Sequence, residues 1–133
     1  MMKYTQRTKE SLVRRAVNML RNSKHAVVFT GAGISTPSGI PDFRSQETGL
    51  WNRFDPMQTA SLSIFRKHPE KFYAWFKPLA EKIWYAKPND AHKALSEMEE
   101  RGIVKAIITQ NIDRLHQKAG SKRVIELHGR IEK

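Results

Sequence analysis

The chain has 133 residues, 39% apolar and 28% charged, which is enough for one ordinary domain with its own core and a wet surface. No apolar run approaches the roughly 20 residues of a membrane span, and the polar start at Met1–Arg7 lacks the apolar stretch of a secretory signal, so a soluble, cytoplasmic protein without a membrane partner is expected. The formal charge of +11 admits contact with nucleic acid, anionic lipid or an acidic partner, although charge speaks to association and not to fold, and lysines and arginines coating helix faces is the favoured reading.

Taken in chain order, Thr8–Asn22 reads as an amphipathic helix, with Leu12, Val13, Ala16, Val17, Met19 and Leu20 near one stripe and Thr8 as N-cap. His25–Thr30 is short, apolar and β-branched, as a buried parallel strand should be. A glycine turn follows at Gly31–Gly33. From Thr36 to Pro56 the chain is rich in Pro, Gly, Ser and Asp and has no periodicity, so a long functional loop with one helical turn is expected, packed through Phe43, Leu50, Trp51 and Phe54. Ser63–Lys67 and Pro69–Tyr85 look helical; Phe72, Trp75, Phe76, Leu79, Ile83 and Trp84 form a broad packing face, and Pro78 is expected to kink or break the second helix. Asn89 or Asp90 can cap a helix through Arg101 that Gly102 closes. Ile103–Thr109 and Val124–Leu127 read as two more buried strands. Strands alternating with helices predict an α/β, Rossmann-like parallel sheet with flanking helices.

In open parallel sheets ligands bind beyond the carboxyl ends of the strands. After the first strand come Gly31–Ser35 and then Pro41–Arg44; after the second, Gln110–Asp113; after the third, His128–Gly129. Every polar cluster with chemical potential therefore falls on one rim. Gly31-Ala32-Gly33 suits close approach of backbone to a diphosphate, yet the hydride-transfer fingerprint would place a third glycine where Thr36 stands. The alternative is a tight strand-to-helix turn with no ligand. Asp42, Phe43 and Arg44 join an acid, a ring that can shield a reacting centre and a guanidinium that can steady a phosphate; a structural Arg–Asp pair is the alternative. Gln110, Asn111 and Asp113 can orient a carboxamide and hold a ribose hydroxyl, with helix capping by Asn111 and Asp113 as a simultaneous role. His128 alone among five histidines has a strand-end position suited to a general base; His25, His68, His92 and His116 read as structural, with His116 on a short helix. There is no cysteine, which excludes disulfides, thiol nucleophiles and thiolate zinc ligands, and the histidines show no metal-ligand spacing.

Together, Gly31-Ala-Gly-Ile-Ser-Thr-Pro-Ser-Gly-Ile-Pro-Asp-Phe-Arg44 closely resembles the sirtuin signature. Thr109–Asp113 with Leu115-His116 resembles the second sirtuin block, Leu127-His128-Gly129 the third, and Pro88-Asn89 with Ala91-His92 the helix start between them. The resemblance runs from about Leu12 to the end. It implies an NAD-dependent protein lysine deacylase in which NAD is a co-substrate: nicotinamide leaves as the acyl oxygen attacks the ribose C1′, a histidine deprotonates a ribose hydroxyl, and the products are free lysine, nicotinamide and O-acyl-ADP-ribose. By matching position, His128 is the base, Asn111 and Asp113 hold the ribose and the nicotinamide pocket, and Gln110 contacts ribose. Ala32, Gly33 and Ser35 line the diphosphate region with Gly31 and Thr36 beside them, Phe43 shields C1′, Arg44 lies by phosphates or ribose, and Asp42 and Ile112 border the nicotinamide pocket.

The resemblance further implies a cofactor loop at about 36–56, a helical segment at about 58–86, an acyl-lysine protein or peptide as partner, and a four-cysteine zinc module for which the chain holds no ligand. Family members that prefer succinyl or malonyl lysine carry a Tyr-x-x-Arg pair. The counterpart here is Tyr73-Ala-Trp-Phe76, which favours acetyl or another neutral acyl group. The chain is accordingly expected to be the N-terminal part of such a domain, 1–133, with an apolar sheet edge left exposed where further strands should pair, and without activity or a stable monomer on its own. NAD-dependent ADP-ribosyl transfer, NAD hydrolysis, a non-catalytic NAD-binding fragment and a nucleic-acid binder are the competing readings.

Overall fold

A computed structural model describes residues 5–46 and 49–132; the polar start at Met1–Tyr4, two positions of the long loop, Glu47 and Thr48, and Lys133 lie outside them. Among the described residues three strands, β1 (Ala26–Thr30), β2 (Val104–Thr109) and β3 (Val124–Glu126), pair in parallel in the order β1-β2-β3. Val28, Ile107 and Val124 share one row of the sheet, and Thr30, Thr109 and Glu126 share the row at its carboxyl end. The β-branched runs explain the strands: stiff side chains pack well on a pleated surface. Each strand is a residue shorter than its apolar run, because His25, Ile103 and Leu127 lie just outside the ladder.

Helix α1 (Gln6–Asn22) starts two residues earlier than the apolar stripe suggests. Thr5, not Thr8, is the N-cap, and its hydroxyl accepts from the Thr8 backbone N–H. Two hydroxyl residues three apart can each cap, and the one whose backbone is extended takes the role. The long loop contains more structure than its composition indicates: Ala32–Ser38 is a 3₁₀ helix ending at Gly39, whose φ of 86° suits a residue without a Cβ, and Leu50–Asn52 forms a second 3₁₀ turn. Short helices α2 (Pro56–Thr59) and α3 (Leu62–Lys67) lead into α4 (Pro69–Tyr85), which runs through Pro78 as one helix, so the expected break is absent. Pro78 forfeits one backbone hydrogen bond. The next turn buries Leu79 and Ile83, and that burial, about 1.5–3 kcal/mol per side chain, offsets the loss. Helix α5 (Asp90–Glu100) opens on Asn89 and ends before Gly102 at φ 70°, and α6 (Leu115–Lys118) follows β2.

Val104 and Ile107 of β2 are buried along the sheet, and a separate buried cluster includes Ile40 and Leu115 of the segments that follow β1 and β2. Leu79 and Ile83 of α4 complete it, with Leu50, Trp75, Phe76 and Ile112 packed around it. The loop after β1, α4 and α6 thus meet directly beneath the predicted rim. One face of the sheet has the opposite character: Val27 and Ala106 share a row, Phe29, Ile108 and Ile125 another, and Val27, Phe29 and Ile125 are exposed. The stripe of α1 is bare as well, at Leu12, Val13, Val17 and Met19. Parallel sheets are normally covered on both faces, and apolar patches of this kind promote association. The isolated chain should therefore show concentration-dependent self-association in sedimentation velocity, reduced by Phe29→Lys. A concentration-independent monomer with a cooperative melt would contradict this.

Candidate functional site

The three strand ends converge. The Gln110 N–H donates to the Thr30 carbonyl at 3.0 Å, extending the β1–β2 ladder past Thr109, and the Leu127 N–H donates to the Thr109 carbonyl at 2.9 Å. Beyond these bonds lie two adjoining hollows that share Ala32, Phe43, Trp51, Gln110, Asn111 and His128. The inner one, about 390 Å³, runs down to Ser35, Ile112, Asp113 and the apolar side chains Ile40, Phe72, Trp75, Phe76 and Leu79. The outer one, about 470 Å³, adds the polar Asp42, Arg44 and Ser45.

Ser35 ties the rim together. It is wholly buried. Its hydroxyl donates to Asp113 Oδ2 at 2.7 Å and accepts from Asn111 Nδ2 at 3.1 Å. Asn111 Nδ2 also donates to the Gly31 carbonyl at 3.1 Å, so the residue after the first strand and the residues after the second form one polar unit. Asp113 Oδ1 accepts from the Leu115 N–H at 2.9 Å, and with Oδ2 held by Ser35 both carboxylate oxygens are engaged. Of the two expected capping residues, Asp113 thus serves the start of α6, whereas Asn111 points back to Gly31 instead. Between Asp113 and Leu115, Arg114 adopts φ 60°, a left-handed conformation that costs a side-chain-bearing residue about 1 kcal/mol or more and is held by the bonds on either side.

His128 is exposed at the mouth of both hollows, and its Nδ1 lies 3.0 Å from the Gln110 carbonyl. A carbonyl oxygen only accepts, so Nδ1 carries the proton and Nε2 presents its lone pair. That is the tautomer a general base needs.

The cofactor-loop residues are arranged differently from the simple Arg–Asp pairing considered for them. Asp42 Oδ1 accepts from the Ser45 N–H at 3.0 Å, and hydrogen bonds from Ser45, backbone first and then side chain, hold the Asp42 carboxyl below the ordinary carboxylate range. Phe43 stacks on Trp51 with ring centres 5.2 Å apart, and Trp51 stacks on Trp75 of α4 at 5.8 Å. These contacts fix the ring at the cleft. Gly49 closes the loop: a Cβ there would meet the Ser45 carbonyl oxygen at 2.6 Å and the Ser45 nitrogen at 2.7 Å, so only glycine fits. Gly31, Gly33 and Thr36 do not line either hollow. Gly31 contributes its carbonyl to Asn111, and Thr36 donates to the Gly33 carbonyl at 3.0 Å, bracing the turn.

Several supporting bonds of the site gave no signal in the sequence, although Asn89 and Thr109 stand in stretches that resemble sirtuin blocks. Asn89 donates through Nδ2 to the Ile34 carbonyl at 2.7 Å and to Ser38 Oγ at 3.0 Å, locking the start of α5 to the glycine turn. Thr30 and Thr109 hydrogen-bond to each other beneath Asn111. Such pairings span 51 residues or more and no local pattern announces them.

The residues present suit a dinucleotide and do not suit zinc. A Cβ on Gly31 or Gly33 would meet nothing within 4 Å, which leaves that backbone open to close approach, and the inner apolar and outer polar hollows match a flat ring and a charged sugar-phosphate. For zinc there is no cysteine, and among the described residues no group of three or more His, Asp or Glu side chains could hold a metal.

An open parallel sheet with its cleft past the strand ends is the architecture of nucleotide-binding α/β domains. Residues 31–133 match the family model "Sir2 family", and the chain belongs to the Sir2 family. It is 54% identical over 124 residues to NAD-dependent protein deacylase 2 of Archaeoglobus fulgidus, covering 93% of this chain and 48% of that protein. It is 50% identical over 120 residues to NAD-dependent protein deacetylase 2 of Caldanaerobacter subterraneus, covering 90% and 48%. A Sir2 structure with a p53 peptide and NAD+ superimposes with a TM-score of 0.77 at 47% identity over 90% of this chain and 47% of that one. Another, with a deacetylated p53 peptide and 3′-O-acetyl ADP ribose, gives a TM-score of 0.85 at 48% identity over 90% and 48%. The chain thus spans about half the length of the relatives it matches.

Below the cleft, His116 is buried and its pKa is lowered from 6.5 to about 4, chiefly by desolvation and next by His92, with Asp113 and Glu99 opposing. The His92 pKa is lowered too, by desolvation, with Asp113 opposing. A folded-state pKa below the unfolded value means that the unfolded chain binds more protons as the pH falls. The stability from His116 is complete above about pH 6.5 and drains away between there and about pH 4. The loss should be on the order of 3 kcal/mol in urea titrations, and His116→Gln should flatten it; a pH-independent midpoint across that window would contradict the assignment.

Proposed function

We propose that this chain carries the NAD-binding and catalytic part of an NAD-dependent protein lysine deacylase acting on acetyl or other neutral acyl groups, with an acyl-lysine protein or peptide as partner. The observation that carries the reading is His128 at the shared mouth of the two hollows, its Nδ1–H tied to the Gln110 carbonyl and its Nε2 free to accept a proton. The names of the relatives, deacylase and deacetylase, and a solved Sir2 with an acetylated peptide support the same assignment.

Bound NAD supplies a ribose C1′ whose bond to nicotinamide can break. The remaining work falls to this chain's residues. Asn111 and Gln110, at the end of β2, orient the ribose, and Ile112 and Asp113 border the nicotinamide pocket from the inner wall. Ala32 lines both hollows, and Gly33, with no side chain in the way, lets a diphosphate approach the backbone of the turn that Gly31 and Thr36 brace, while buried Ser35 supports that turn through Asp113 and Asn111. Arg44 steadies negative charge in the outer hollow, and Asp42 holds the loop that carries it. Phe43, fixed by Trp51, keeps water from C1′. His128 Nε2 takes the proton from a ribose hydroxyl. Phe76 lines the inner hollow and, unlike an arginine, offers no cation to an acidic acyl group, which supports a neutral acyl preference.

The test is a chimera in which the 124 matched residues of this chain replace their counterparts in the Archaeoglobus relative. With an acetyl-lysine peptide and NAD, mass spectrometry should detect the deacetylated peptide, nicotinamide and O-acetyl-ADP-ribose. His128→Ala should cut turnover by about 10²–10⁴-fold with little change in NAD affinity. ADP-ribose attached to protein, or free ADP-ribose with the peptide still acetylated, would overturn the proposal in favour of transfer or hydrolysis.

A further inference from the structure

Directly under the cleft two imidazoles are packed out of water. His92 of α5 is 0% exposed and His116 of α6 is 1% exposed, their ring centres 4.9 Å apart and their planes tilted by 62°. Neither has a part in the proposed chemistry. Each has one nitrogen hydrogen-bonded and one, His92 Nε2 and His116 Nδ1, without a partner among the described residues.

Counting protons fixes how the bonded nitrogens are used. The Thr30 hydroxyl has a single proton and donates it to Thr109 Oγ1 at 2.9 Å. The contact between Thr30 Oγ1 and His116 Nε2, also 2.9 Å, therefore takes its proton from the ring. His116 is an Nε2–H tautomer with its Nδ1 lone pair facing the buried interior. The Asn89 backbone N–H donates to His92 Nδ1 at 3.3 Å, so neutral His92 carries its proton on Nε2. Thr109 Oγ1 accepts twice, from Thr30 and from the Asn111 backbone N–H at 3.0 Å. A directed relay results, from the His116 ring through Thr30 to Thr109, meeting the Asn111 amide at the point where β2 ends. Asn111 then places its carboxamide on the Gly31 carbonyl and Ser35 Oγ, each at 3.1 Å.

We propose that His116 is a positioning residue for the cleft: its Nε2–H orients the Thr30 and Thr109 hydroxyls and so fixes the Asn111 backbone amide and, through it, the Asn111 side chain that lines the cleft. Without that donor the Thr30 hydroxyl can turn its proton elsewhere, and the rotamer of Thr109 loses its restraint. Burial supports the assignment by keeping the ring neutral. The groups facing it are His92, which also disfavours its charge, and Asp113 and Glu99, which oppose without cancelling, so the tautomer persists through the physiological range.

The consequence for ligand binding rests on the reading of the cleft as an NAD site, and the test separates the two. Long-range ¹H–¹⁵N NMR on the whole chain should find His116 protonated at Nε2 and bare at Nδ1 at neutral pH. His116→Leu, and Thr30→Val with the ring intact, should each speed solvent exchange of the Asn111 amide and raise the Kd for NAD by about tenfold, as expected for one lost hydrogen bond. His116→Gln, which keeps a donor near the Nε2 position, should restore both to within about threefold. A purely structural role would lower the melting temperature without separating Gln from Leu at Asn111. Protonation at Nδ1 in the native chain, or an Asn111 amide unmoved in Thr30→Val, would overturn the proposal. Absence of NAD binding by the native chain would instead sink the NAD reading, with the tautomer and the amide exchange still deciding this one.

Discussion

The hydroxyl of Ser35, shut away from solvent between Asp113 and Asn111, is the contact on which the rest of the site depends. It joins the segment after β1 to the segment after β2 across 78 residues of sequence, and it does so where no water can substitute for a lost partner. A buried carboxylate needs its hydrogen bonds, since leaving it short costs far more than the bond contributes when made. Asp113 meets that need with Ser35 on one oxygen and the start of α6 on the other. The 3₁₀ helix at Ala32–Ser38, the left-handed Arg114 and the carboxamide of Asn111 all take their places from this one arrangement.

The residues around the cleft divide the work between reach and support. Those that can touch a ligand sit at the mouth and are partly or wholly exposed: Gln110, Phe43, Arg44 and His128. Those beneath are buried and tied into hydrogen bonds: Thr30 with Thr109 and His116 Nε2, and Ser35 with Asp113 and Asn111. A preorganised site needs both layers, because a side chain free to wander presents its dipole to the ligand only part of the time. Stacking of Phe43 on Trp51 and of Trp51 on Trp75 gives the loop the same treatment with aromatic contacts in place of hydrogen bonds.

Much of this was legible in the sequence, for a geometric reason. Apolar, β-branched runs separated by helices force a parallel sheet, and a parallel sheet brings every strand's carboxyl end to the same rim, so the polar residues after His25–Thr30, Ile103–Thr109 and Val124–Leu127 had to gather. The fold and the meeting of Gly31, Asn111 and His128 follow from that, whereas the family was legible only through the resemblance of Gly31–Arg44, Thr109–Asp113 and Leu127–Gly129 to sirtuin blocks. Choices between near-equal local options were not legible: Thr5 against Thr8 as a cap, or a continuous helix against a break at Pro78, where the burial of Leu79 and Ile83 decides. Nor were the supporting bonds. The link from Asn89 to Ile34 and the relay from His116 to Thr30 join residues 55 and 86 positions apart, and isolated His, Asn and Thr side chains look alike until the fold brings them together. The tautomer of His128 was hidden for the same reason, since it is set by the Gln110 carbonyl and not by the histidine's own neighbours.

That three stretches of chain enclose one nucleotide is tested most directly by recording ¹H–¹⁵N correlation spectra of the 133-residue chain through a titration with NAD. The account predicts saturable shifts at Gly33, Ser35, Arg44, Asn111 and His128 that titrate together with a single dissociation constant. Shifts confined to the basic surface of α1 and abolished by moderate salt, with the three strand-end segments unmoved, would contradict it.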